Sequence, residues 1–427
     1  MRGVRWGLVL FFLLVLFDGA LRKWVAPSLS TPLFVLKDVV LVATLGIYAF
    51  ERGLQLPSTL RKSILGVLLP AFAFWCAMEA LNFRLPSILL GIWGFKLHIL
   101  YISLIFLVPA SFKSFEQLYR YTWWYSVLSI PILALGVVQF YSPTTSWINE
   151  YAHQSANITH FGGEQRFARI TGTFSYISGM GRYVFFAPLL SLALLAGEKM
   201  RLNWRTLPLY FSLALGAIVV PMNGSRWPVF AFGVVFLLFA FFIGKIRRTA
   251  PRVLSPWRLM LVGGVIIVGL VTYGSAATTA LEERIVEARD TERRIEERLF
   301  EPFDFMTEAG LFGYGVGSTY QAASVLTGRT SGDWGPSRYY EEAPERLMLE
   351  LGIIGFVLQY ALYMALLFYI YRIVRILGEP RRFFLALTAL GFLLVHLTEQ
   401  VAFVATAAAF FWGFAGIAVA IGEEIGA

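Results

Sequence analysis

The chain has 427 residues, 57% of them hydrophobic and only 15% charged, with a net charge of +9. Soluble domains carry about 25% charged residues, so this composition excludes a soluble enzyme and indicates an integral membrane protein. The positive balance reflects short basic loops rather than a nucleic-acid partner, and the single cysteine, Cys76, excludes an intramolecular disulfide or a cysteine metal site. The four histidines, His98, His153, His160 and His396, form no HExxH-like ligand pair, so neither a metal nor another cofactor is expected.

Arg2 and Arg5 precede an apolar run from Trp6 to Phe17. Asp18 and Arg22-Lys23 follow where a secretory signal would end in small residues, so the run reads as a retained first helix. Apolar windows near the length of about 20 residues needed for a crossing fall near 5–21, 32–50, 63–81, 87–109, 121–140, 176–197, 207–223, 227–244, 258–275, 350–371, 383–398 and 401–421. The expected fold is an all-α polytopic membrane protein of about twelve transmembrane helices. Residues 1–427 then form a single membrane domain, with no internal repeat and no inverted pair of broken segments.

The short loops alternate in charge. Arg2/Arg5, Arg52/Arg61/Lys62, Lys113/Arg120, Lys199/Arg201/Arg205, Lys245/Arg247/Arg248/Arg252/Arg258 and Arg372/Arg375/Arg381/Arg382 fall on one side, against only Arg22/Lys23, Arg84 and Arg226 on the other. The positive-inside rule puts both termini in the cytoplasm. Two long loops, 141–175 and 276–349, then lie outside, the second as a small helical cap.

From Leu281 the cap carries one amphipathic stripe, with Arg294 and Arg298 one turn apart on the same face. The stripe suits a helix lying on the membrane, and two guanidiniums so placed also suit a pyrophosphate. Gly313, Gly315 and Gly317 lack the preceding strand and following acid of a dinucleotide fingerprint. They predict a turn or a close backbone approach, with a phosphate nest as a weaker reading. Glu341, Glu342 and Glu345, beside Pro344, read either as an acidic helix start or as the source of a general base at the membrane surface. Arg226, in PMNGSRWP, and Arg182, with Arg166 and Arg169 just before it, read either as snorkelling cations or as contacts to an anionic ligand. Lys96 and His98 fall inside the fourth window as possible partners in a polar pore, and Lys37–Asp38 suits helix packing.

Three stretches resemble the O-antigen ligase and O-antigen polymerase superfamily of bacterial envelope polysaccharide assembly: RITGTFSYISGMGRYVFFAPLL, NGSRWPVFAFGVVFLL, and GLFGYGVGSTY followed by EEAPERLMLELGIIG with its E-x-G-x-x-G pattern. The first five windows match only in hydropathy. The resemblance implies a GT-C-like glycosyltransferase of the bacterial inner membrane that uses no metal. It would move a glycan from a polyprenyl-pyrophosphate carrier to a hydroxyl of a glycan or lipid-linked acceptor, alongside other polysaccharide export components. Arg226 matches the family's arginine at the outer end of its span, and Arg294 or Arg298 occupies the region of its loop arginine. The ligases have a histidine nine positions before the residue that here is Glu350; that position is Glu341, which favours a polymerase and makes Glu341, with Glu342 beside it, the expected base. Arg169, Arg182 and Arg166 join the expected pyrophosphate contacts. A transporter or flippase of lipid-linked glycans or another anionic solute is the alternative, using the same arginines without a base. A scaffold or regulatory subunit of an export machine is a third reading.

Overall fold

The computed structural model describes residues 2–152, 159–161, 167–255, 263–264, 274–287, 300–328, 334–336 and 342–426. The described residues are mostly helical, with almost no strand. Their one sheet is a two-residue hairpin in the first long loop, β1 (His160–Phe161) against β2 (Phe167–Ala168), with His160 opposite Ala168.

The principal helices, in chain order, are α1 (Arg2–Ala20), α2 (Ser30–Arg52), α3 (Leu65–Ala80), α4 (Ile88–Ile99), α5 (Leu104–Ser111), α6 (Phe115–Val127), α7 (Ser129–Tyr141) and α8 (Ile177–Gly197). They continue with α9 (Leu207–Met222), α10 (Trp227–Phe241), α11 (Ile243–Thr249), α12 (Ser275–Glu287), α13 (Ala343–Ile376), α14 (Pro380–Val395) and α15 (Ala405–Ile425). Local signals set several starts. The Ser87 hydroxyl accepts from the Leu89 amide and Ser114 from the Gln117 amide, while Pro228 and Pro380 occupy first-turn positions that need no amide hydrogen.

Among the described residues, seven helical stretches are long and apolar enough to cross a membrane, or eight if the α10–α11 pair, bent by 64°, is one span. The chain is therefore a multi-pass membrane protein. Helices also fill the windows near 63–81, 207–223 and 383–398, but α3, α9 and α14 have 16 residues each. At 1.5 Å per residue that is about 24 Å, short of a hydrocarbon layer of about 30 Å. Most of the window near 258–275 lies outside the described residues.

Two windows expected as continuous helices are broken. The window near 87–109 is α4 and α5 joined by a 3-10 turn, Leu100–Ser103, and the window near 121–140 lies within α6 and α7. Helix α13 is also interrupted, at Gly352 (φ 65°, ψ −177°). Only glycine adopts that backbone readily, and a Cβ there would meet the Leu311 carbonyl oxygen at 2.3 Å.

Helices α8 and α15 are the most enclosed, with stacked Phe186 and Phe410 rings 4.1 Å apart between them. α10 instead exposes Phe230, Phe236, Leu237 and Phe241 along its length, the pattern of a lipid-facing helix. The bundle has two distinct polar ends. At one, Arg22 donates to Ser175 (2.8 Å), Arg84 to the Gly313 carbonyl (3.2 Å) and Arg169 to the Asn223 carbonyl (3.2 Å). At the other, Arg381 pairs with Glu116 (2.9 Å), Arg382 with Glu424 (2.7 Å), and the Thr59 amide donates to Glu423 (2.6 Å). These two sets match the loop groups that charge bias separates in the sequence.

That separation yields a topology prediction. Thr145→Cys and Val325→Cys, both at exposed positions of the first end, are expected to react with an impermeant maleimide on intact cells. Arg201→Cys, exposed at the other end, is expected to react only after permeabilisation. Cys76 is buried and contributes no background. The reverse labelling pattern would invert the assignment.

Candidate functional site: a cationic cleft at one end of the bundle

The long polar segment and the next helix are joined by a backbone clasp. Gly313, Gly315 and Gly317 all take positive φ (70°, 93° and 91°). Their chain lies against the interruption in α13, where the Tyr314 amide donates to the Leu349 carbonyl (2.7 Å) and the Ile353 amide to the Gly310 carbonyl (3.0 Å). A Cβ on Gly94 would come within 2.2 Å of Val316, and one on Gly317 within 2.7 Å of the Leu90 carbonyl. The turn is thus wedged between α4 and α13, at distances only glycine permits. The interruption also frees the Leu351 carbonyl, which accepts from the Trp75 indole (2.9 Å).

The anion held by this turn is internal. Glu350, fully buried, accepts from the Gly317 amide (2.9 Å), the Thr319 amide (3.0 Å), the Thr319 hydroxyl (2.5 Å) and His98 Nε2 (2.8 Å). A carboxylate can only accept, so Nε2 carries the ring proton. The phosphate-nest reading therefore gives way: the Gly317 and Thr319 amides are already taken by a side chain. His98 belongs to this clasp and does not line the open cleft beside it.

Arg346, one turn before Glu350, donates from Nε to the Thr319 hydroxyl (2.9 Å) and from Nη2 to the Thr319 carbonyl (3.2 Å), and lies 3.6 Å from the centre of the Phe403 ring. The clasp thereby fixes one wall of a cleft of about 600 Å³. The other walls come from the ends of α1 and α2, from α4, from the segment running into α8, from the α9–α10 turn and from the α14–α15 loop. Packing of the first long loop on the α9–α10 turn explains part of this convergence: Gly224 (φ 66°) leaves no room for a Cβ beneath the Phe161 ring.

Six cations line the cleft among the described residues, Arg22, Lys37, Lys96, Arg169, Arg182 and Arg346, against three carboxylates, Asp18, Asp38 and Glu399. Lys37 pairs with Asp18 (2.6 Å), Lys96 with Asp38 (2.5 Å) and Arg182 with Glu399. Tyr101 also donates to Asp38 (2.6 Å). Arg182 lies 4.5 Å from the centre of the Trp227 ring. Its Nε, and both polar atoms of the fully buried Asn223 amide, are buried without a hydrogen-bond partner among the described residues. Unsatisfied buried polar groups carry a free-energy cost. Here they line a positively biased cleft, the arrangement suited to an anionic, hydroxyl-bearing ligand.

Of the residues singled out in the sequence, Arg169, Arg182 and Lys96 line this cleft, and so does the Lys37–Asp38 pair read there as helix packing. Arg226 is the half-buried residue preceding α10, between Ser225 and Trp227, which do line it. Glu342 is buried at the residue before α13 and is not part of the lining. Arg166, Arg294, Arg298 and Glu341 lie outside the described residues. The sequence reading did not single out Arg22, Arg346, Asn223 or Glu399 as site residues. Arg346 follows Glu345 by one residue, but only the fold turns it toward Thr319. Comparison with protein-family models, with curated proteins and with solved structures finds no match for this chain.

Proposed function

We infer that the chain is a membrane glycosyltransferase of the O-antigen polymerase/ligase type. The observation that carries this reading is the cationic cleft, set among helices that cross a membrane and built from the loops expected outside. In this reading the chain crosses a bacterial cytoplasmic membrane about twelve times with both termini cytoplasmic. The cleft receives a polyprenyl-pyrophosphate-linked glycan from the outer face. The acceptor hydroxyl oxygen bonds to the anomeric carbon, the bond from that carbon to the pyrophosphate oxygen breaks, and a base takes the hydroxyl proton.

Arg169, Arg182 and Arg346 would neutralise the departing pyrophosphate, an electrostatic contribution that grows as charge develops on the leaving group. Arg226 adjoins the same wall, and Arg294 or Arg298 joins the set through the family resemblance alone. Glu341 is the proposed base, with Glu342 its neighbour. Polymerase activity is favoured over ligase activity because a carboxylate stands where the ligases have histidine.

Mass analysis of lipid-linked glycans in a deletion strain tests the reading. Single repeat units on lipid are expected, as for a lost polymerase. Full-length polymer retained on lipid would assign a ligase instead, and loss of outward-facing donor would assign a flippase. Within the polymerase reading, Arg226→Lys keeps the charge but loses the planar fork. Partial transfer is expected from lysine and none from alanine at equal protein level; full transfer by the alanine variant would leave Arg226 as a headgroup anchor.

A further inference from the structure

At the opposite end of the bundle the 64° bend between α10 and α11 opens a second pocket, of about 710 Å³, against the C-terminal end of α13. Lys245, Arg248 and Arg375 line it, and no carboxylate does among the described residues. Lys245 donates to the Arg375 carbonyl, one of the acceptors a helix leaves open at its C-terminus. It also lies within electrostatic reach of both arginines. Like charges sharing one concavity repel one another, and an anion among them relieves that repulsion. Nearby cations at this end are treated differently: Arg381 pairs with Glu116 and Glu198, and Arg382 with Glu379 and Glu424.

The pocket continues into an apolar wall. Phe241 lines the pocket, and with Phe236 and Leu237 just before it on α10 it is strongly exposed, at 72%, 73% and 69% respectively. The pocket itself has room, because Gly244 and Gly378 line it with no atom within 4 Å of the position a Cβ would take. A cationic hollow at the foot of an apolar wall complements both halves of a charged amphiphile. Basic pockets of this kind between transmembrane helices hold anionic headgroups.

We propose that Lys245, Arg248 and Arg375 form a binding site for the phosphate headgroup of an anionic phospholipid, whose acyl chains lie along α10. The site is separate from the cationic cleft and does not depend on the glycosyltransferase reading. A free phosphate shares the headgroup's charge but has nothing to place against the α10 wall.

The test uses the full-length protein in a neutral detergent, titrated with phosphatidylglycerol or phosphatidylcholine and read by native mass spectrometry. Phosphatidylglycerol is expected to bind and phosphatidylcholine to bind far more weakly. Each cation removed weakens binding about fivefold, so K245Q/R248Q/R375Q lowers affinity on the order of a hundredfold. Gly378→Trp keeps every charge, and therefore the topology signal, while filling the pocket; it too is expected to lose the lipid. Wild-type affinity in a folded, monodisperse sample of either variant would overturn the site. Equal binding of the two lipids would overturn its preference for anions. Full displacement of phosphatidylglycerol by millimolar inorganic phosphate would reassign the pocket to a soluble anion.

Discussion

Glu350→Gln is expected to cost about 2–4 kcal/mol of stability, because each buried donor left without an acceptor costs about 1–3 kcal/mol. The shape of the side chain hardly changes, so the effect isolates the hydrogen bonds. Glu350 is an acceptor toward four donors: two backbone amides, one hydroxyl and His98 Nε2. An amide side chain keeps one acceptor oxygen, and either placement turns its N–H groups toward a backbone amide that cannot accept, Gly317 or Thr319. Among the described residues the Gly317 and Thr319 amides donate only to Glu350, so a fold that accommodates glutamine must reopen the glycine turn. A several-degree fall in melting temperature and a loss of monodisperse protein in mild detergent are the expected readouts.

His98→Ala is expected to act in the same direction. Replacing both members with leucine should not rescue, although apolar replacement often rescues a simple buried ion pair. Here the two backbone amides would remain unpaired whatever fills the space. Wild-type melting of Glu350→Gln would show that the carboxylate does not hold the clasp. Rescue by the double leucine variant would show that the pair with His98 is all that matters. Because Arg346 and Tyr320 stand on this clasp at the wall of the cleft, loosening it is also expected to disorder the ligand site.

The membrane character and the helical windows were legible because hydropathy and span length are local properties of the chain. The glycine turn was legible too: GYGVG carries no dinucleotide context, which left a turn or close backbone approach ahead of a phosphate nest as uses of three alternating glycines. The partner of that turn was not legible. Glu350 reads in sequence as the acid of an E-x-G-x-x-G helix entry, and His98 as a partner of Lys96 in a polar pore. Nothing local relates positions 252 residues apart. The helix interruption at Gly352 was hidden for a similar reason, since an isolated glycine in a hydrophobic run is common and only the approach of Leu311 makes it obligatory. In the cleft, Arg182 and Arg169 were visible as cations at the edge of an apolar run. Asn223 carries no charge to flag it, and Glu399 gains meaning only when the α14–α15 loop meets α8. The amphipathic stripe with Arg294 and Arg298, and the acidic position Glu341, lie outside the described residues, so those parts of the site rest on sequence.

Arg182 should show two separable effects, one on the fold and one on the ligand. Its side chain is 13% exposed and that of Glu399 3%, so the pair between them is largely removed from water. Arg182→Ala takes away the guanidinium while the carboxylate stays buried, and about 3–5 kcal/mol of stability is expected to go with it. The packing of the guanidinium over Trp227 is lost at the same time. That variant alone would leave structure and function entangled. Arg182→Met combined with Glu399→Leu replaces the pair with apolar side chains of similar volume, an exchange that is often neutral or stabilising. The double variant is therefore expected to regain wild-type melting. It should not regain the ligand: Arg182 Nε is buried beside the cleft with no partner of its own among the described residues, and a hydrogen bond to a charged group contributes about 1.5–3 kcal/mol. Affinity for a polyprenyl-pyrophosphate donor is then expected to fall roughly 10- to 100-fold in a fully folded protein, measured by equilibrium binding in detergent or nanodiscs. A double variant that both melts and binds like the wild type would reduce Arg182 to a packing partner of Glu399. The anion would then have to be held by Arg169, Arg346 and the remaining cations of the cleft.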